Sequence, residues 1–386
     1  MKLLVVGGGA AGTAAAWMAA CAGAEVELIH HRAGATELYS GALDLESWER
    51  GRSESADPAI QEFSTELGIW ALSARGCWLA TGSGVVRPAT GADTSLLDLG
   101  LLAGRKIAVA DVERDGWDGE WLARALGGSS WAEQTGTEFL PVRIRLVEAE
   151  HERRFGAYDF ACLHDAPERV DRLAEELGRS SAGMDGWLLG PWLGVGGTGL
   201  ARLRGAVRRP VGETTSPPDG PAGARFARAR SALLQTLGVT SHRARATELG
   251  AADGGWVVRC EVPGAGSKSL EAEKVVLAVG GLVSGGVRLN GPVPEMGAGA
   301  PLSLSLEAPV RFELDGAELE RVSSLHGMDW QAHGLAALER VGVAAEGSRV
   351  VGASGVFVAG SVMAGRPRTT LEAVRAGIVA AQAALG

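Results

Sequence analysis

The sequence predicts an α/β fold, because apolar runs typical of buried strands alternate with glycine turns and helix-like stretches. An apolar run at residues 3–6 breaks into glycines, a helix-like stretch follows at 13–22, and a second apolar run occupies 26–29. Two later apolar runs, at 274–281 and 355–360, also end in glycine. Strand, turn, helix and strand in this order predict a βαβ unit within a parallel sheet.

The turn after the first run has the spacing G-x-G-x-x-G, formed by Gly7, Gly9 and Gly12. In a Rossmann-like dinucleotide-binding unit the first glycine permits a tight turn, the second lets a pyrophosphate approach the backbone, and the third lets helix and strand pack closely. The N–H groups at the helix start, at Ala10 and Ala11, would then face the phosphate. A plain structural turn is the alternative, but the position between strand and helix favours nucleotide binding.

Composition narrows the class of protein further. The chain has 386 residues, 46% of them hydrophobic and 22% charged, which indicates a globular protein with room for two domains. A formal net charge of −9 argues against a general nucleic-acid binder. The N-terminus does not resemble a signal peptide, and no apolar run approaches the ~20 residues of a membrane span. We therefore expect a cytoplasmic protein that meets a membrane only through a partner.

The cysteines argue against a metal centre held by this chain. The four of them lie far apart and form no C-x-x-C pair: Cys21, Cys77, Cys162 and Cys260. An iron–sulfur cluster or a zinc site built from this chain alone is therefore not expected. No disulfide framework is indicated either, which fits a reducing compartment.

The middle of the chain shows further alternating elements. Helical spacing of apolar residues predicts helices at 59–71 and 167–177, and apolar runs predict strands at 106–112 and 142–147. The glycine-rich segment 194–199 shows no strand–turn–helix context in the sequence, so we do not expect a phosphate loop there.

A proline- and glycine-rich stretch at 210–223 predicts a crossing between domains. A helix is expected at 224–237, followed by strands at 239–249 and 256–262 that are joined by an Asp-Gly-Gly turn. The chain closes with an alanine-rich helix at 371–385 after its last strand. A threonine and a glutamate three residues apart give the start of that helix capping-box spacing.

The end of the second strand departs from the usual dinucleotide pattern. In many NAD- and FAD-binding folds an acidic residue closes this strand and holds the ribose hydroxyls. Here the strand is followed by His30, His31 and Arg32. His30 could hydrogen-bond a ribose or belong to a solvated basic corner, and Arg32 could pair with a phosphate. The adenosine end of the predicted site is therefore left open between these interpretations.

Taken together, these elements resemble flavoproteins of the glutathione-reductase type. The N-terminal glycine turn, the strand that ends at Gly280, and the last strand ending at Gly360 before a capped helix occur in the order of that family. The resemblance implies FAD as the cofactor, with Thr369 and Thr370 near it at the helix start, where the family brings a helix N-terminus to the isoalloxazine. It also implies a Rossmann-like FAD-binding domain with a second, smaller α+β domain.

On this resemblance the FAD-binding domain is discontinuous and comprises residues 1–75, 215–290 and 345–386. The second domain, for substrate or partner, comprises residues 76–214 and 291–344. Two departures from the family lie near its cofactor site. Ser361 follows the last Ala-Gly where the family carries an acidic residue, and serine can still hydrogen-bond a phosphate or a ribityl hydroxyl. The segment 365–370, with two arginines, replaces a glycine-rich run before the last helix.

Three segments are similar to the B-type subunit of the anaerobic glycerol-3-phosphate dehydrogenase. They are residues 39–45 (Tyr-Ser-Gly-Ala-Leu-Asp-Leu), the stretch 213–225 with its prolines, glycine and arginine, and the stretch 164–168 with its following helix. The resemblance implies that Ser40 and Gly41 contact the cofactor. It further implies a hetero-oligomer with a dehydrogenase subunit and an iron–sulfur subunit, in which this chain passes electrons.

The resemblance also suggests where a substrate would bind. In flavin enzymes the cofactor takes the hydride while the protein orients the substrate. An anionic substrate such as glycerol 3-phosphate would need arginines, and an alcohol could need a histidine as base. The candidates are His326 and Arg225 as catalytic groups and Arg366 and Arg368 as substrate ligands, although the last two could equally form a solvated basic loop. A non-catalytic assembly subunit and a stand-alone FAD oxidoreductase stay as alternative functions.

Overall fold

A computed structural model describes residues 1–31, 34–45, 57–282, 284–289, 302–314, 316–319 and 340–386. The chain divides into two compact units. The first unit comprises Met1–Thr36, Leu45–Ser47 and Arg230–Gly386, and the second comprises Glu37–Asp44 and Trp48–Ala229. The two units are of similar length.

The strands of the described residues are, in chain order, β1 (Lys2–Val6), β2 (Glu25–His30), β3 (Ala42–Leu43), β4 (Trp70–Ala80), β5 (Val86–Asp93), β6 (Lys106–Asp111), β7 (Glu138–Arg143), β8 (Gly186–Leu189), β9 (Val211–Glu213), β10 (Thr240–Arg243), β11 (Arg245–Ala252), β12 (Gly255–Val262), β13 (Gly266–Ala272), β14 (Lys274–Leu277), β15 (Val287–Leu289), β16 (Leu302–Leu304), β17 (Phe312–Leu314), β18 (Ala317–Glu318), β19 (Val341–Val343), β20 (Ala345–Glu346), β21 (Arg349–Val350) and β22 (Val356–Val358). The α-helices of the same residues are α1 (Ala10–Cys21), α2 (Pro58–Leu67), α3 (Gly119–Gly127), α4 (Ser130–Thr135), α5 (Ala157–Leu163), α6 (Pro167–Arg179), α7 (Thr198–Val207), α8 (Pro221–Thr236) and α9 (Thr370–Leu385).

The first unit is organised around a seven-stranded sheet of order β10-β2-β1-β14-β22-β21-β20. The strands from β10 to β22 pair in parallel, and β21 and β20 complete the edge in antiparallel orientation. The chain passes from β1 to β2 on one side, while β14 pairs with β1 on the other side. The carboxyl end of β1 is therefore a topological switch point, where open α/β sheets bind their ligands.

Helices α1 and α9 pack closely because both present small residues at their contact. A Cβ atom on Gly377 of α9 would lie 2.1 Å from the carbonyl oxygen of Ala11 in α1, so only glycine permits this approach. The Thr369 hydroxyl accepts a hydrogen bond of 3.3 Å from the N–H of Glu372. The predicted cap at the start of the last helix is thus present.

The predicted strand at 239–249 is in fact two strands that join different sheets. β10 pairs in parallel with β2, whereas β11 belongs to an antiparallel three-stranded sheet with β12 and β13. Between them, the N–H of Ala244 donates to the carbonyl oxygen of His30, which completes the pairing with β2. The chain changes sheet at this residue.

The second unit contains a parallel sheet of order β7-β6-β8-β9 and an antiparallel sheet of order β3-β5-β4. The α/β class with a second domain is confirmed, but that second part is neither smaller nor free of parallel strands. The strand predicted at 142–147 is shifted, because β7 pairs with β6 over Glu138–Arg143. Its following apolar residues, Ile144 and Leu146, are buried in the core beyond the strand.

The domain boundaries also differ from the predicted ones. Residues 57–75 and 215–229 belong to the second unit, and β4 pairs with β5 there. Conversely, the described part of 291–344 belongs to the first unit. The reason is strand pairing, because β17 pairs with β19 and Val343 forms a bridge to Met363.

Candidate functional site

The first unit has a cleft of about 360 Å³ at the carboxyl end of β1, within the range typical of ligand sites. It is bordered by the glycine turn, by the ends of β2 and β14, by the strand end before α9, and by parts of β11, β15 and β16. The lining residues are Val6 to Ala11, Ile29 to His31, Gly34 to Thr36, Ala244 to Ala246, Ala278 to Gly280, Ser284 to Gly286, Arg288, Ser305, Ala359 to Ser361 and Ala373.

Two of the three motif glycines are required by backbone packing. Gly7 has a φ of +124°, and a Cβ there would lie 2.1 Å from the carbonyl oxygen of Ala278. A Cβ on Gly12 would lie 1.9 Å from the carbonyl oxygen of Gly7. At Gly9 the nearest atom to an added Cβ is the Thr36 hydroxyl oxygen, at 3.3 Å. The turn and the helix contact are therefore fixed by sterics, whereas an added Cβ at Gly9 would meet only the Thr36 hydroxyl and no backbone atom, which fits approach of a ligand to the backbone there.

The N-terminus of α1 faces the cleft without a carboxylate of its own. Gly9 precedes the helix and has no side chain to cap it, and no acidic residue stands in its first turn. The N–H of Ala10 donates to the Thr36 hydroxyl over 3.0 Å. Because a helix N-terminus carries partial positive charge, this end of the cleft favours an anion.

His30 closes β2 at the edge of the cleft, where many dinucleotide folds carry an acid. The imidazole is half-buried. Burial, together with the positive charges of Arg230 and Arg243, holds the pKa of His30 below its ordinary value. His31 also lines the cleft and is exposed. Arg32 lies outside the described residues.

Arg230 is a site residue that the sequence does not reveal. It lies on α8, exposes 6% of its surface, and donates from Nη1 to the carbonyl oxygen of Gly8 over 2.7 Å. A buried guanidinium beside the glycine turn adds positive charge next to the helix N-terminus and holds the turn in place. No motif distinguishes this arginine from the two others in the same helix.

Gly280, Gly360 and Ser361 also line the cleft, and Gly360 lies against Ala11 of α1. The Ser361 hydroxyl oxygen accepts a hydrogen bond of 2.9 Å from the N–H of Gly281. Its own O–H remains a possible donor toward the cleft. This hydrogen bond therefore links the segments that follow β14 and β22. Flavoproteins of the glutathione-reductase type carry an acid at the position of this serine.

The threonines and arginines before α9 do not line the cleft. The Thr369 hydroxyl caps α9 and donates to the carbonyl oxygen of Leu45 over 2.9 Å, so both of its roles are taken, and Thr370 begins the helix. Arg368 donates to the carbonyl oxygen of Val341 over 2.9 Å. Arg366 is exposed and lies 3.9 Å from Glu372. Among the described lining residues none of these four occurs, so their cofactor and substrate roles stay predictions.

Arg225 lies in a buried network of the second unit, and its catalytic role stays a prediction. It exposes 5% of its side chain and lies 2.7 Å from a carboxylate oxygen of fully buried Glu213. Its Nε donates to the carbonyl oxygen of Gly194 over 2.8 Å, and its Nη1 donates to the hydroxyl of Ser95. Asp93 lies 3.9 Å away in the same network. The guanidinium is thus enclosed by partners of its own unit.

The glycine-rich segment 194–199 does follow a strand, β8, and precede a helix, α7, contrary to the sequence prediction. Its phosphate-binding capacity is nevertheless used internally. The carboxylate of Asp165 accepts hydrogen bonds from the N–H groups of Val195 and Gly196, at 2.8 and 2.7 Å. A carboxylate of the chain therefore stands where a phosphate would bind.

Of the remaining predicted residues, Ser40 and Gly41 belong to the second unit, and their assignment to the cofactor stays a prediction. His326 lies outside the described residues. In the part of the chain that the structure describes, no cluster of His, Cys, Asp or Glu is arranged to hold a metal ion. Nor do the described helices include one long and apolar enough to span a membrane.

The charge of the cleft follows from its lining. Arg245, Arg288, His30 and His31 supply its titratable groups, and no aspartate or glutamate occurs among its described lining residues. With the α1 N-terminus and Arg230 at the turn, the cleft is cationic although the whole chain carries a net charge of −9. It is suited to an elongated anionic ligand that enters over the glycine turn.

The solved structures that resemble this chain are distant from it. No protein-family profile and no curated protein matches the sequence. A flavoprotein/dehydrogenase from Cytophaga hutchinsonii is 9% identical, with a TM-score of 0.37, over 100% of this chain and 78% of that chain. AlpK is 11% identical with a TM-score of 0.35, over 97% and 59% of the two chains. The anhydrotetracycline hydroxylase OxyS from Streptomyces rimosus is 11% identical with a TM-score of 0.33, over 98% and 60%. The chain thus spans three-fifths or less of the length of AlpK and OxyS.

Proposed function

We propose that this protein is an FAD-dependent oxidoreductase whose first unit holds the cofactor. The observation that carries the proposal is the cleft at the switch point of the parallel sheet. Its glycine turn is fixed by sterics at Gly7 and Gly12, it is open at Gly9, and no carboxylate occurs among its described lining residues. This combination matches the needs of a dinucleotide pyrophosphate.

The residues present fit FAD at its pyrophosphate. The N–H groups at the start of α1 would face it, and Arg230 would add charge from behind Gly8. Ser361, which lines the cleft, would donate to the ribityl chain. FAD, when bound, supplies the hydride acceptor, and the protein orients the substrate and excludes water. The fit is weaker at the adenosine ribose, where His30 replaces an acid.

The finer part of the proposal rests on the resemblance to the B-type subunit of the anaerobic glycerol-3-phosphate dehydrogenase. On that basis the chain passes electrons within a complex that includes a dehydrogenase subunit and an iron–sulfur subunit. In this division of labour the iron–sulfur subunit, and not the four free cysteines of this chain, would hold the cluster. Arg366, which is exposed, and Arg368 are the proposed ligands for an anionic substrate.

The test is cofactor binding by the full chain, followed through the visible flavin spectrum and mass spectrometry of what heat releases. The sharpest variant is Gly9→Leu, because a side chain there meets only Thr36 at 3.3 Å and fills the approach to the helix N-terminus. We expect at least a tenfold loss of FAD affinity with an unchanged unfolding temperature. Gly205→Leu, on α7 with open space around it, is the matched control and should bind FAD normally.

A folded chain that takes up no FAD would overturn the proposal and favour the alternative of a non-catalytic assembly subunit. Bleaching of the bound flavin by an anionic polyol in the isolated chain would indicate a stand-alone oxidoreductase. Bleaching that requires the dehydrogenase subunit would support the role in a complex. These three outcomes separate the functions without reliance on a single activity assay.

A further inference from the structure

The edge of the cleft formed by the end of β2 carries positive charge where a ribose-binding carboxylate is usual. His30 ends β2, and its register partner on the parallel strand β10 is Arg243. Register partners in a parallel sheet present their side chains on the same face. Their mutual proximity is also evident electrostatically, because Arg243 and Arg230 both disfavour the protonated form of His30. We call these three residues the β2 edge.

Further cations continue the β2 edge along the cleft. Arg245 and Arg288 line it, and the ion pair of Arg245 with Glu261 is long, at 3.9 Å, and exposed. Arg243 is exposed and has no hydrogen-bond or ion-pair partner among the residues that the structure describes. An unengaged guanidinium beside an anion-binding turn is free to pair with a ligand.

The cationic β2 edge favours a different ribose substituent from the one that a carboxylate at this position would favour. A carboxylate accepts hydrogen bonds from the two ribose hydroxyls and repels a phosphate attached to either. An imidazole with arginines around it loses those hydroxyl contacts but pairs with a phosphate monoester, for which a guanidinium offers two parallel donors. The β2 edge is therefore matched to a phosphate on the ribose.

We propose that the β2 edge binds a phosphate monoester on the adenosine ribose, so that a 2′-phosphorylated adenine dinucleotide of the NADP(H) type competes with FAD for this cleft. The inference rests on the proposed function only in assuming that the cleft binds an adenine dinucleotide. It adds a second class of ligand for the same site. The fit of FAD to the pyrophosphate end is unchanged by it, since both ligands share that group.

The test is calorimetric titration of the full chain, freed of bound nucleotide, with adenosine 2′,5′-bisphosphate and with AMP, which differ only in the 2′-phosphate, at one ionic strength. We expect the 2′,5′-bisphosphate to bind about tenfold more tightly, as one added charge-assisted contact allows. Arg243→Gln should lower its affinity by a similar factor and leave AMP binding unchanged. Arg259→Gln removes an exposed arginine of β12 that pairs with Glu248 outside the cleft, and it should alter neither.

The converse variant restores the acid. His30→Glu should strengthen AMP and FAD binding, through the ribose hydroxyls, and weaken binding of the 2′,5′-bisphosphate, so that the preference reverses. FAD displacement by NADP(H), followed through flavin fluorescence, should then be lost in the same variant. Because both ligands are measured on one protein, a general loss of folding lowers both affinities and cannot imitate a reversal.

The outcomes separate this inference from the proposed function. If AMP and FAD bind but the 2′-phosphate brings no gain, the inference is overturned and the proposed function stands. If neither adenine nucleotide nor FAD binds the folded chain, the proposed function fails and the inference fails with it. A preference that survives in Arg243→Gln and in His30→Glu would place the phosphate elsewhere and also overturn the inference.

Discussion

Replacement of Arg225 by methionine distinguishes a structural arginine from a catalytic one. In the structure the Arg225 guanidinium is paired with Glu213 at 2.7 Å, and the two side chains expose 5% and 0% of their surface. Arg225→Met keeps the length of the side chain and removes its charge. It leaves the Glu213 carboxylate buried without a counter-charge, and Asp93, 1% exposed, loses the same neighbour.

The magnitude follows from the burial of the pair. Removal of one partner from a buried ion pair costs about 3–5 kcal/mol, because the other charge stays desolvated. That is a large part of the about 5–15 kcal/mol by which native proteins are stable. The double variant Arg225→Met with Glu213→Gln removes the charge that was left behind, while the amide oxygen still accepts from the N–H of Leu193. We expect it to regain about 1–3 kcal/mol.

The assay is urea unfolding of the full chain, followed by tryptophan fluorescence, with FAD affinity measured on the folded variants. The structural role predicts a strong loss of stability, partial rescue in the double variant and unchanged FAD affinity. A stable Arg225→Met protein that binds FAD but has lost turnover would refute the reasoning. It would restore the catalytic role that the sequence suggested.

Three further predictions follow from single contacts. Gly12→Ala places a Cβ 1.9 Å from the carbonyl oxygen of Gly7, so we expect a lower unfolding temperature, a loss of about 1–3 kcal/mol, and weaker nucleotide binding in calorimetry. His164 is 1% exposed and burial lowers its pKa to about 4, so the unfolded chain takes up this proton first as the pH falls. Above about pH 6.5 the neutral His164 makes its full contribution to the free energy of unfolding. On acidification to pH 4 this free energy decreases by about 3 kcal/mol. Urea titrations at several pH values should show this decrease, and His164→Asn should remove it. Arg230→Met, which releases Gly8, should weaken FAD binding about tenfold without a change of flavin spectrum.

Local sequence signals predicted the parts of the fold that depend on near neighbours. The glycine turn, α1, β2, α6 and the cap at Thr369 need only contacts within a few residues, and all of them are present. The errors arose where pairing between distant strands decides the outcome. β7 ends at Arg143 because its partner β6 ends at Asp111, and the stretch after α8 divides because β10 has β2 as its partner. No local pattern carries that information.

The same distinction explains the site. Gly7, Gly9 and Gly12 were identifiable from spacing, since the motif is contained in one turn. Arg230 was not, because the Gly8 oxygen that it holds is 222 residues away in the chain. The buried ion pair of Arg225 was not identifiable for a related reason. The sequence around Arg225, near the start of α8, does not indicate that the partner of this arginine is the buried Glu213.

The N-termini of α3, α7 and α1 differ in what the chain itself places against them. In the second unit the carboxylate of Asp118 caps the start of α3 and accepts a hydrogen bond of 2.8 Å from the N–H of Trp121. The carboxylate of Asp165 likewise accepts hydrogen bonds from the N–H groups of the turn before α7. Each of these positions could hold a phosphate, and each is already satisfied by the chain. At α1 the first turn has no acid, and Gly9 has no side chain to cap the helix. The chain places only the Thr36 hydroxyl at the positive end of α1, and the cationic lining of the cleft around it attracts an anion from outside the protein.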